Sequence, residues 1–388
     1  MRRPILHRGT AALAVAALAA CSDAPTSIPA VSEEPRSELA RQVEALGFRG
    51  DMVQDFGDYV LVEGDIHIPR ARLAEGARGE LKRPDGPRYQ FRTTNVVGSP
   101  RVHQITVNLA GLAAEPGWLA AAQEALGHWN MVPESYVRLT EVTGAADITV
   151  GTTCLVNGGN VAAFASWPAA GNPGNAVTVN TCFAFATNHA QRVHNMVHEL
   201  GHTLGFRHSN WVQTDCGNTN CASDPAPQVG AVHIGGSPTS GNDAGSAMNG
   251  GTALNAWAGF SAADRYAIRV LYPSPGPIGL TSSHPSGTEV LSWTAPFGAV
   301  SFEYQLVEYF TSEDYERGRY TTTTESGWTL VSGTSVDTGV PWTGGSWCTW
   351  YYGPYGSDWT EYWWHVRANY PNGPSRIIGY IPAGVGPC

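Results

Sequence analysis

The hydrophobic positions of this chain change period several times, and each change predicts an element. Ala11 to Ala20 is an unbroken apolar run behind a basic start, Met1-Arg2-Arg3-Pro4-Ile5-Leu6-His7-Arg8. Ten residues are too few to span a bilayer as a helix, so the run predicts the core of a signal peptide over 1–20. Residues 22 to about 35, rich in Pro, Ser, Ala and acid, read as a tether. Leu39, Val43 and Leu46 then fall on one helical face within 36–49, and Tyr59 to Ile66 reads as a strand with a turn. Further on, Val102 to Ala110 alternates as a strand. Trp118, Leu119, Ala122, Ala125, Leu126 and Trp129 form the stripe of a helix. Short strands follow at Val137–Val142, Ile148–Val150, Val161–Ser166 and Ala176–Asn180. A helix then starts near Thr187 or Asn188, either of which suits an N-cap. Ser261 with Asp264 three residues on predicts a capped last helix, stopped by Pro273. Beyond the stiff stretch Pro273-Ser274-Pro275-Gly276-Pro277 the period becomes two. Val290–Trp293, Phe302–Glu308 and Tyr362–Ala368 alternate with turns between them, which predicts a β-sandwich.

Charge refines this order. The chain of 388 residues carries a net −10 and no basic run of the kind that binds nucleic acid. Residues 70–101 are the exception, with eight Arg and Lys against three acids and Gly and Pro throughout. That composition predicts an exposed basic linker, so 21–101 reads as tether, pro-segment and linker. Residues 102–273 then form an α+β domain and 274–388 the sandwich. Seven cysteines point to an oxidising compartment. Setting Cys21 aside leaves six, with 15 possible pairings. Proximity favours Cys216–Cys221, domain membership favours Cys154–Cys182, and Cys348–Cys388 remains.

The candidate chemistry lies in His198-Glu199-Leu200-Gly201-His202-Thr203-Leu204-Gly205-Phe206-Arg207-His208. Residues four apart on a helix lie ~40° apart in azimuth and ~6 Å along the axis, so His198 and His202 share a face. Two neutral imidazoles so placed can hold Zn²⁺, with Glu199 beside them as the base for a water. A continuing helix would carry His208 ~15 Å beyond His198. Gly205 resolves this by adopting φ > 0, ending the helix and returning His208 as third ligand. Three protein ligands leave a fourth position open, the mark of a catalytic site. His194 has helical spacing too, but Asn195 rather than a glutamate follows it, so it is expected to be no ligand.

These residues resemble the zinc signature of the metzincin metallopeptidases. Ser246-Ala247-Met248-Asn249 suits the clan's Met-turn, which makes Met248 an apolar floor under the histidines. The resemblance sharpens to the HEIGH-type peptidases of family M57 through Val62-Glu63-Gly64-Asp65, the Trp118-to-Asn130 helix, Ile234-Gly235-Gly236-Ser237-Pro238-Thr239 and Phe260-Ser261-Ala262-Ala263-Asp264. It implies an exported zinc endopeptidase acting on protein or peptide substrates, in which Glu199 activates a zinc-bound water. Two departures stand out. Leu200 replaces the Ile of the family name, and Gly250 stands where some metzincins place an oxyanion-binding tyrosine. The substrate is expected to lie along Val161–Ser166 as an added strand.

Three further likenesses complete the reading. Leu18-Ala19-Ala20-Cys21 resembles a lipobox, which would lipidate Cys21 and make the outer membrane the destination, with membrane contact only through the lipid; ordinary cleavage and secretion is the alternative. Val62-Glu63-Gly64-Asp65 resembles the segment through which astacin pro-peptides set an aspartate on the zinc, so Asp65 is a candidate latency switch or simply a turn residue. The sandwich resembles a fibronectin type III domain, with Trp293 early and Tyr362, Trp364, Val366 and Ala368 facing inward late. Its insertion 341–361 holds Trp342, Trp347, Trp350, Tyr351, Tyr352, Tyr355 and Trp359. These form either a platform for glycan or a cell-surface partner, or the packing of a loop. The competing function is a cell-surface binding lipoprotein that acts through this sandwich and keeps a vestigial zinc site.

Overall fold

The computed structural model describes residues 38–45, 53–57, 59–62, 65–73, 89–155, 160–211, 229–238, 243–314, 318–341, 347–353 and 356–383. Residues 1–20 and Cys21, residues 74–88 of the basic segment, Cys216, Cys221 and Cys388 lie outside them. So do Trp342, Tyr355 and the side chains of Trp347, Cys348, Trp350, Tyr351, Tyr352 and Trp359. Among the described residues, no helix is long and apolar enough to cross a membrane.

The architecture is mixed α+β followed by a β-rich region. Eight strands form the first sheet: β1 (Gln54–Asp55), β2 (Tyr59–Val62), β3 (Ile66–Pro69), β5 (Ile105–Asn108), β6 (Leu139–Glu141), β7 (Ile148–Thr153), β8 (Ala163–Ala165) and β9 (Ala176–Asn180). The short β4 (Phe91–Arg92) pairs separately with β10 (Val232–His233). The sheet order is β1-β2-β3-β8-β9-β7-β5-β6. The β6, β5, β7 and β9 pairings are parallel and β8 runs antiparallel to β9. Cys154 and Cys182, just past β7 and β9, are joined in a disulfide, as domain membership favoured.

Two helices cover this sheet. In α3 (Pro116–Asn130), proline opens the first turn, where its missing N–H costs nothing. The expected stripe is buried at Trp118, Ala122, Ala125, Leu126 and Trp129, while Leu119 is only partly covered. Helix α4 (His189–Leu204) packs on α3, and the Trp129 indole N–H donates to Val197 O at 3.1 Å. Asn188 is the N-cap and forms a reciprocal capping box with Gln191. The short helices α1 (Glu38–Ala45) and α2 (Arg70–Leu73) precede them. The last helix, α5 (Ala262–Leu271), carries the expected Ser261–Asp264 capping box.

Three expectations from the sequence need correction. Residues 89–101 are not an exposed linker: Gln90, Phe91, Thr93 and Val97 are buried. They are drawn in because β4 supplies the backbone partners of the chain leaving α4, with Thr93 N donating to Gly205 O at 2.8 Å and Arg207 N to Phe91 O at 2.9 Å. Composition hides this, since Arg and Gly are polar on average while backbone bonding ignores side-chain type. Second, the Val161–Ser166 strand is no free edge. β3 lies against it in parallel through Ile66 and Ala165, so residues 54–69 extend the sheet. Third, the proline-rich stretch after α5 is no free spacer. Ser274 is buried, its N donates to Glu134 O and its Oγ accepts from Arg376 N.

The β-rich region sets β11 (Ile278–Ser283), β12 (Thr288–Thr294) and β16 (Ser335–Pro341) against a larger sheet. That sheet holds β13 (Ser301–Asp314), β14 (Gly318–Glu325), β15 (Thr329–Val331), β17 (Trp347–Gly353), β18 (Gly356–Tyr370) and β19 (Gly373–Pro382). Trp293, Phe302, Trp364, Val366 and Ala368 face its interior. That interior runs on without a break into the core around Trp129. His103 stacks on Tyr136 and meets Phe297 and Tyr370 edge-on, and Asn372 Nδ2 donates to Val132 O and Ser135 O.

Candidate metal centre

Helix α4 is buried from Val193 to Leu204, so its polar side chains must find partners inside the protein. His198 and His202 do so from one face, as their spacing requires. The helix ends at Gly205 with φ 99°, a left-handed conformation in which any Cβ is strained. The turn brings His208 back, and the Nε2 atom of His198 lies 3.0 Å from that of His202 and 3.3 Å from that of His208. Asp65, in the turn between β2 and β3, completes the cluster. Its Oδ2 is 3.1 Å from His208 Nε2 and 3.3 Å from His198 Nε2, and its Oδ1 is 3.6 Å from His202 Nε2. These four ligand atoms lie within 4.8 Å of one another.

The protonation pattern tests whether a cation fits. His198 Nδ1 donates to Ala247 O at 2.7 Å and His202 Nδ1 to Phe206 O at 2.8 Å. Each ring therefore keeps its proton on Nδ1 and turns a bare Nε2 lone pair inward. Lone pairs converging with a carboxylate repel one another unless a cation sits among them. The donor set fits a metal ion, with three imidazoles and one oxygen. Burial holds the His202 pKa down at about 4, against the opposing pull of Asp65. Burial also works to raise the Asp65 carboxyl, but the opposing pull of His208 and of the other two rings facing it holds it well below the usual carboxylate range. Glu199 is buried next to this cluster, and its Oε2 has no hydrogen-bond partner among the described residues. Burial, reinforced by the Asp65 charge, pushes its carboxyl well up. An orphaned carboxylate oxygen beside a metal-ligand set is a base waiting for a proton donor.

Met248, in the turn 246–249, is buried against α4 at Gly201. A Cβ on Gly201 would strike Met248 Sδ and approach Trp129 Cζ2 to 3.3 Å, so glycine at this helix position lets the turn seat. Gly250 presses on His208 in the same way, where a Cβ would stand 2.7 Å from Nδ1. A tyrosine there has no room, which is the physical reason for that departure. Sequence reasoning missed what holds the turn. Asp264 accepts from Ser246 Oγ at 2.6 Å and Ala247 N at 2.8 Å, and from Gln90 Nε2 at 2.8 Å. It thereby fixes the peptide whose carbonyl orients His198. The capping pattern flagged Asp264 only as a helix residue, and nothing in the sequence flagged Gln90. His194 sits apart from the cluster, its ring centroid 6.4 Å from that of His198, with Nε2 on Thr252.

A helix-borne histidine pair, a third histidine returned by a glycine turn and a buried glutamate are the parts of a metallopeptidase centre. The chain belongs to the dual-action HEIGH metallo-peptidases, peptidase family M57, whose model matches residues 60–272, more than half of the 388-residue chain. The match begins at β2 and so takes in Asp65 as well as the histidines. No curated protein matches the chain.

Proposed function

We propose that the protein is an exported, metzincin-like zinc endopeptidase held latent by its own pro-segment. The observation that carries the reading is the convergence of three imidazole Nε2 atoms beside a buried, unpartnered Glu199 oxygen. Zn²⁺ held by His198, His202 and His208 would supply a Lewis acid that acidifies water and polarises a peptide carbonyl. Glu199 takes the proton of the attacking water and delivers it to the departing amine nitrogen. Its burial favours this cycle, because a desolvated carboxylate accepts a proton readily and the low dielectric sharpens its field. Asp264, through Ala247, holds His198 in register, and Met248 supplies a rigid floor.

Latency rests on two contacts of the pro-segment. The Asp65 carboxylate occupies the space facing the three Nε2 atoms, which the attacking water needs. Ala165 N donates to Asp65 O at 2.9 Å, so the segment also takes the strand edge on which an extended peptide would lie. Removal of residues 54–69 would free that edge and the fourth ligand position together. The basic stretch 70–88 offers cleavage sites for such removal. The apolar run of the first 20 residues and the Cys154–Cys182 disulfide support export, as a lipoprotein through Cys21 or as a secreted protein. The three-stranded and larger sheets of 278–382 support a fibronectin type III-like module.

The test uses the full-length protein and an unstructured peptide mixture. Asp65→Ala is expected to raise hydrolysis at least tenfold before any cleavage of the chain, and a chelator to abolish it until Zn²⁺ is restored. Hydrolysis that ignores the chelator would refute the metallopeptidase reading. Equal activity of Asp65→Ala and wild type would refute latency alone.

A further inference from the structure

A pocket of about 160 Å³ opens beside the metal centre, bounded by His194, Asn195, Glu199, Val161, Asn160 and Thr252. The hydrogen bonds behind its wall fix what that wall presents. Thr252 Oγ1 donates to Asn249 O at 2.7 Å, so its hydroxyl proton is committed. Toward His194 Nε2, 2.9 Å away, the hydroxyl can only accept, which places the ring proton on Nε2. His194 Nδ1 is then a bare acceptor with no partner among the described residues. His194 lines the pocket, so this acceptor is available to a group bound there. Asn195 is in the same condition. Both protons of its Nδ2 are used, on Gln191 O at 2.7 Å and Ala253 O at 2.8 Å, which leaves Oδ1 as an acceptor. His194 is 6% exposed and Asn195 4%, so these acceptors belong to a built wall rather than a solvated surface. Burial holds the His194 pKa at about 4, which keeps the ring neutral near pH 7.

We infer that this pocket receives a substrate side chain next to the scissile bond that ends in N–H or O–H donors, with His194 Nδ1 and Asn195 Oδ1 as the groups that select it. The inference rests on the peptidase reading above. An apolar side chain of equal size leaves both acceptors dry and unpaired, and a carboxylate meets two acceptors with no proton to give. Glutamine, asparagine, serine and lysine side chains satisfy the wall. Thr252 acts as a positioning residue, since it dictates which ring nitrogen faces the pocket.

The experiment uses full-length protein after limited trypsin treatment of the basic segment. A defined peptide mixture, varied at both residues flanking each cleavable bond, is digested and read by mass spectrometry. Wild type is expected to prefer donor side chains over leucine and methionine by about tenfold, the effect of one lost hydrogen bond. His194→Leu is expected to shift the preference to leucine and methionine. Thr252→Val frees the ring to turn either nitrogen inward and is expected to flatten the preference. Nitrogen-15 spectra of histidine-labelled protein give an independent reading, with Nδ1 of His194 unprotonated. Cleavage with an apolar or acidic preference, or a profile that both variants leave unchanged, overturns the inference alone. So does a protonated Nδ1. Failure of every folded form to cut any peptide overturns the peptidase reading and this inference with it.

Discussion

His208 is held from two sides, by the glycine turn that delivers it and by Gly250, which lies flat against its ring. Gly250→Ala puts a methyl into that contact, so the ring must tilt. A 10- to 100-fold loss of metal affinity is expected, the usual cost of disturbing a ligand's support, read by competition with a chromogenic chelator. His194 makes a different prediction. Its pKa is about 4 in the folded protein against an ordinary 6.5, so the unfolded chain binds a proton that the folded chain refuses. The stabilisation is full above pH 6.5 and is lost as pH falls toward about 4. It amounts to about 3 kcal/mol at 1.36 kcal/mol per pH unit. In metal-stripped protein, urea unfolding between pH 7 and 4 is expected to show that slope in wild type and a shallower one in His194→Leu. Equal slopes would contradict it. At this scale the sequence was informative about ligands and nearly silent about supports. Histidine and glutamate at fixed spacing announce themselves. Gln90 reaches Ser246 and Asp264 from 156 and 174 residues away, and Asp264 reaches the turn from 18 and 17, separations that no local pattern encodes.

The elements that carry local signals lie close to where periodicity put them. Asn188 and Gln191 begin α4, Ser261 and Asp264 begin α5, and Ala176–Asn180 is a strand as expected. Asn188→Ala removes a cap in a buried catalytic helix and is expected to lower stability by about 1 kcal/mol, with peptidase activity kept below the melting range. Thermal unfolding followed by circular dichroism checks it. Where tertiary pairing decides, the sequence misled. β4 is two residues long and lies in a segment whose composition reads as linker, yet it bonds the backbone on both sides of Phe206. The covered edge of β8 was likewise invisible, because strand order depends on which distant segment docks. Val62 and Ile66 are apolar enough for a core, but nothing in them names Ala165 as the neighbour.

For the whole molecule, an α+β part followed by a β-rich part was legible, while their dependence on each other was not. The sequence shows a proline-rich stretch and suggests a stiff linker. The structure instead runs one apolar core from Trp129 to Trp364 and seats Tyr136 against Tyr370. Truncation at residue 273 is therefore expected to strip cover from His103, Val132 and Tyr136. The melting temperature should fall by several degrees and the yield of folded protein with it. Unchanged melting would show that the two regions are energetically separate.

The most direct test of the central claim pairs two readings on one variant, Glu199→Ala made in the Asp65→Ala background so that latency does not mask the result. Metal stoichiometry and peptide hydrolysis are measured on the same sample. One metal ion per chain with hydrolysis reduced at least 100-fold is expected, since the ligands are untouched and only the base is gone. Full metal content with turnover within tenfold of the Asp65→Ala parent would contradict the assignment of Glu199 as the base.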